Sequence, residues 1–87
     1  MFVPLIKPLL QNPRLQMQIV EVFKTNVWED GQARHLVVKL LDHFPRHKIN
    51  FDLQDCDKIL RVEGEQISSE RIIEVINTNG YQCAVLD

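Results

Sequence analysis

Eighty-seven residues, 45% of them hydrophobic and 25% charged, make one domain of ordinary globular composition, which excludes a disordered chain, a collagen and a multidomain enzyme. Ten Lys and Arg against twelve Asp and Glu leave a formal charge of −2, so no overall basic field exists to hold a phosphate backbone, and nucleic acid is not expected as a partner.

The first segment, residues 1–16, holds Pro4, Pro8 and Pro13, which forbid a continuous helix and suit an extended arm. It has no basic stretch ahead of its apolar run and no small-residue cleavage site, and Pro4, Lys7 and Pro8 interrupt it. It is expected to be neither a signal peptide nor a membrane span. Three readings of it stand: its apolar residues Phe2, Val3, Leu5, Ile6, Leu9 and Leu10 dock on a sheet face, they grip a partner, or translation starts at Met17. The domain proper is expected over 17–87. Without Lys7 and Arg14 it carries eight positive and twelve negative residues, a balance of −4.

From Gln18 to Asn26, β-branched and aromatic residues predict a strand, with Ile19 and Phe23 on one face and Val20 and Val22 on the other. After a loop at 27–31, Ala33, Leu36, Val37, Leu40, Leu41 and Phe44 recur at helical spacing, and Pro45 stops the helix. Glu29 and Asp30 precede that helix and suit its N-terminal cap. Ile49, Phe51 and Leu53 alternate with Lys48, Asn50 and Asp52 in a second strand, and Asp55, Cys56 and Asp57 form a turn. A third strand follows at Ile59 to Glu63, with Leu60 and Val62 inward and Gly64 closing it. Ser68 caps a second helix that buries Ile72, Ile73, Val75 and Ile76, Asn79 and Gly80 stop it, and Tyr81 to Leu86 alternates as a fourth strand. This order predicts an α+β, ferredoxin-like βαββαβ sandwich, a four-stranded antiparallel sheet with two helices on one face.

Four stretches carry a resemblance: Phe23 to Asn26 at the end of the first strand, the helix Ala33 to Phe44, the segment Ile59 to Glu65, and Ile72 to Cys83. Through them Met17 to Leu86 resembles the heavy-metal-associated domain family, small copper and zinc chaperone-like modules. The resemblance implies the same fold and a Cys-x-x-Cys pair between the first strand and first helix, where two thiolates grip a soft ion. Alignment on Phe23 to Asn26 puts the two ligand positions at Glu29 and Gln32; alignment back from Phe44 and Pro45 puts them at Asp30 and Ala33. Neither choice supplies a sulfur, so this is read as a degenerate copy, with no cofactor expected.

The other chemical candidates have plainer readings. Two carboxylates at Glu29 and Asp30 fall short of the six to eight oxygens that Ca²⁺ takes. His35, His43 and His47 are expected on the solvated surface. Cys83 is expected inward as a small hydrophobe, while Cys56 lies between two acids that disfavour a thiolate. Two cysteines in no metal or redox spacing, and no Asn-x-Ser/Thr sequon, suit a reducing, cytoplasmic setting. No nucleophile-base pair or phosphate loop can be assembled, so the chain is read as a non-enzyme.

Trp28, the single tryptophan, stands in the loop that the family presents to its partners. Either it covers the core end of the sheet or its exposed ring anchors an interface with Glu29, Asp30 and Gln32. The expected function is thus a protein interaction module, as a monomer or weak dimer. The alternative is a heavy-metal-ion carrier with non-cysteine ligands, and a weaker one, resting on fold analogy, is a small-molecule-sensing regulatory domain.

Overall fold

A computed structural model describes residues 18–86, so the arm expected at 1–16 lies outside the described residues. The elements are β1 (Ile19–Thr25), α1 (Asp30–His43), β2 (Lys48–Asp52), β3 (Ile59–Gly64), α2 (Ser69–Thr78) and β4 (Cys83–Val85). Their βαββαβ order builds one antiparallel sheet in the order β2-β3-β1-β4, the ferredoxin-like α+β architecture. β1 and β3 lie in the middle, and β2 and β4 are the edges.

The register explains which side chains share the helix-covered face. Phe51 pairs with Leu60, Leu60 with Phe23, Phe23 with Val85, and Ile49 with Val62. Since side chains of directly paired residues point the same way, these residues form one apolar layer beneath the helices. Phe23, Leu60 and Val62 from the sheet, Leu36 and Leu40 from α1, and Ile72 and Ile76 from α2 are fully buried there. The opposite face carries Val20, Val22, Lys24, Arg61 and Glu63.

The helical spacing in α1 is confirmed, with two corrections. Ala33, Leu36, Leu40 and Phe44 are buried, but Val37 is only half-buried and Leu41 is 37% exposed. Successive helical residues turn by about 100°, so Val37 and Leu41 fall on the flank of the stripe, toward the edge strand β2. The helix also begins earlier than expected. Glu29 is the N-cap and Asp30 lies inside the first turn, because Glu29 and Gln32 form a capping box.

α2 is capped by Ser68, whose Oγ accepts from the Arg71 N–H at 3.3 Å. It ends at Gly80, whose φ of +96° no side-chain-bearing residue adopts cheaply. β4 is shorter than the predicted Tyr81 to Leu86. The Tyr81 N–H donates to the Ile76 carbonyl at 3.1 Å, and the Gln82 N–H donates to Asn26 Oδ1 at 2.7 Å, so both amides are taken before the ladder starts.

His47 corrects the reading of a solvated histidine. Its ring lies 5.3 Å from the Phe44 ring and covers Gly64, where a Cβ would come within 3.1 Å of Nδ1. Both ring nitrogens are buried without a hydrogen-bond partner among the described residues. His35 and His43 are exposed as expected.

Candidate functional site

The loop between β1 and α1 is built by one alternation and one cap. Phe23, Thr25 and Val27 continue the inward phase of β1, and Val27 is fully buried at the end of the core. Thr25 fixes this geometry: its Oγ1 accepts from the Val27 N–H at 3.1 Å and donates to the Lys58 carbonyl at 2.6 Å. Trp28, one residue out of phase, turns outward and is 63% exposed. Trp28 therefore does not cover the core end of the sheet, a position that Val27 already fills.

Gln32 holds the other side of the loop. Its Oε1 accepts from the Trp28 N–H at 3.1 Å and from the Glu29 N–H at 3.2 Å, which satisfies two amides ahead of the helix. This capping role was missed in the sequence, although Glu29 and Gln32 stand at the spacing of a capping box. Glu29 and Asp30 are exposed at the positive end of the helix dipole, and Ala33 is buried under α1.

The loop therefore brings Trp28, Glu29, Asp30 and Gln32 together, though not as equals. Trp28, Glu29 and Asp30 face solvent, whereas the Gln32 oxygen is engaged internally. As ligand positions, the pair Glu29 and Gln32 offers one carboxylate and an occupied amide. Asp30 and Ala33 offer one carboxylate and a buried methyl. Neither pair has the donors that a soft ion selects.

The same end of the sheet is rich in acid. Lys24 pairs with Ile59 and Ile59 with Asp52, so the β2–β3 turn projects beside the end of β1. The Thr25 N–H donates to the Asp57 carbonyl at 3.0 Å, and the Asp57 N–H donates to Asp55 Oδ1 at 2.8 Å, which locks the turn there. Asp55, Cys56 and Asp57 are all exposed, with donor atoms within 4.8 Å of one another. The turn is closed by Lys58 at φ 50°, whose Nζ donates to the Leu53 carbonyl at 2.9 Å.

The two thiols differ. Cys83 pairs with Thr25 on the inward side of β4, and burial pushes its pKa from 9.0 up to about 12; Cys56 is exposed. An unfolded Cys83 releases its proton near 9.0 while the folded one keeps it to about 12, so this residue lowers stability as pH rises through that window. Iodoacetamide at pH 8 is expected to alkylate Cys56 faster than Cys83, as resolved by peptide mass spectrometry. Equal rates would contradict the burial of Cys83.

The purified protein is also expected not to retain Cu(I) against a competing chelator, because the loop has no thiolate pair. A stoichiometric complex that survives competition would overturn this. Cys56 and Cys83, which border one shallow cleft with Thr25 and Gln82, would then be the residues to replace.

Among the described residues no helix is long and apolar enough to cross a membrane. Comparison with known protein families, curated proteins and solved structures finds no match to this chain.

Proposed function

We propose that this chain is a small, non-catalytic domain of heavy-metal-associated type, working in the cytoplasm, in which the soft-metal loop has become a protein-docking loop. The observation that carries this reading is the outward Trp28 beside the inward Val27. A 63% exposed indole is a large apolar surface, and the backbone that presents it is pinned by the core and by Gln32. Such a ring binds at low entropic cost, and Trp is enriched among the residues that dominate interfaces.

Glu29 and Asp30 flank the indole, and Asp52, Asp55 and Asp57 lie at the same end of the sheet. The partner that fits is a protein with an apolar pocket ringed by Lys or Arg, which the acidic rim would steer into register. Affinity capture with the wild-type chain and the Trp28→Ala variant in parallel tests this. A protein retained by the first and lost by the second is expected. A set of captured proteins unchanged by the substitution would count against the docking loop.

A further inference from the structure

Among the described residues no strand pairs with the outer side of β2, and what blunts this edge is only its shortness and the charges at its two ends, Lys48 and Asp52. Lys48–Asp52 contains no proline, no bulge and no inward-pointing charge. Beside it runs an open groove of about 690 Å³ between β2 and α1, with Val37, Val38, Ile49, Phe51 and Leu53 along it. Ile49, Phe51 and Leu53 are only half-buried although they belong to the core side of the sheet, and Val38 is 58% exposed on the adjoining flank of α1. A free backbone edge and an apolar strip thus lie side by side.

The sequence of this edge is complementary to itself. In an antiparallel pair, residues on matching faces meet only when the twofold axis passes through a residue and not between two. Centred on Asn50, Lys48 faces Asp52 of the second copy, Ile49 faces its Phe51, and the same contacts recur by symmetry. Centred instead on Ile49 or on Phe51, both charge pairs are lost. Only the Asn50 register places opposite charges together at both ends while it joins the apolar residues on the helix side.

We propose that the chain self-associates through β2, antiparallel about Asn50, so that two sheets become one continuous sheet and the α1 flanks carrying Val38 and Leu41 approach across the axis. The occupant of the groove is a second copy of this chain, bound in the isologous manner of a twofold dimer. This surface is separate from the Trp28 loop and does not depend on it.

Sedimentation equilibrium of the full chain tests the proposal. The wild type is expected to show a monomer–dimer equilibrium, and Lys48→Asp or Asp52→Lys alone is expected to weaken it by about tenfold or more, since two attractive pairs turn repulsive. An equimolar mixture of these two variants is expected to recover wild-type affinity as a heterodimer, because every pair across the axis is again opposite in sign. Val38→Glu, which leaves β2 intact, should also weaken association, and circular dichroism confirms that each variant is folded. A wild type that stays monomeric at about millimolar concentration overturns the proposal, even if the edge binds an extended segment of another protein. So does self-association that folded charge variants leave unchanged, or a mixture of folded variants that fails to recover.

Discussion

Leu40→Ala is expected to cost about 2 to 5 kcal/mol of unfolding free energy, while its neighbour Lys39→Ala stays within about 0.5 kcal/mol. Leu40 is fully buried at the centre of the α1 stripe, in the cluster that holds Phe23, Leu60, Val62, Ile72 and Ile76. Truncation removes its transfer free energy and leaves a cavity that these neighbours fill only in part. Lys39 is exposed, about 100° away around the helix, and Lys and Ala are both good helix formers. Small domains are held by about 5 to 15 kcal/mol in all, so the Leu40 variant should lose a large share of its stability. Urea unfolding reads this as a lower midpoint with an unchanged slope for Leu40→Ala and a nearly unmoved midpoint for Lys39→Ala. Equal losses from both would mean that the helix is rotated and that Ala33, Leu36, Leu40 and Phe44 are not its buried stripe.

Trp28→Ala is expected to act on binding and not on folding. Loss of an aromatic anchor at the centre of an interface costs about 2 kcal/mol or more, a weakening of about 30-fold in Kd. The fold should be nearly indifferent, because Val27, Thr25 and Gln32 shape the loop without any contribution from the indole ring. The free protein should show red-shifted tryptophan emission that acrylamide quenches readily. A blue-shifted, protected emission would place the ring in the core and remove the anchor. Val27→Ala provides the contrast: it should cost stability through the emptied core position, whereas Trp28→Ala should not.

The architecture was legible because local periodicity coincides with the tertiary faces. Leu36, Leu40, Leu60, Val62, Ile72 and Ile76 all lie inward where spacing alone put them, whereas for Phe23 spacing gave a shared face with Ile19 but not which face is inward. The direction of Trp28 was also available in principle. Continuing the two-residue alternation from Phe23 through Thr25 places Val27 inside and Trp28 outside, two residues beyond the end of the strand. His47 was not legible, because its burial depends on Gly64 arriving from β3 and on Phe44 turning back at the helix end. The shortened β4 has a similar cause: the Tyr81 and Gln82 amides are claimed by Ile76 and Asn26, and the second of these contacts spans most of the domain. Leu41 departs from expectation because a helical stripe gives the direction of a side chain but not the extent of the sheet beneath it, and β2 is the last strand on that side among the described residues.

The docking reading is tested most directly by mapping the partner's footprint on the ¹⁵N-labelled protein through backbone and indole N–H shifts, using the protein whose capture depends on Trp28. Perturbations centred on the Trp28 indole and the amides of residues 27–32, extending to Asp55 and Asp57 in the adjacent turn, are the expected result. Perturbations confined to the opposite sheet face, around Val20, Val22 and Arg61, with the Trp28 indole unmoved, would contradict it.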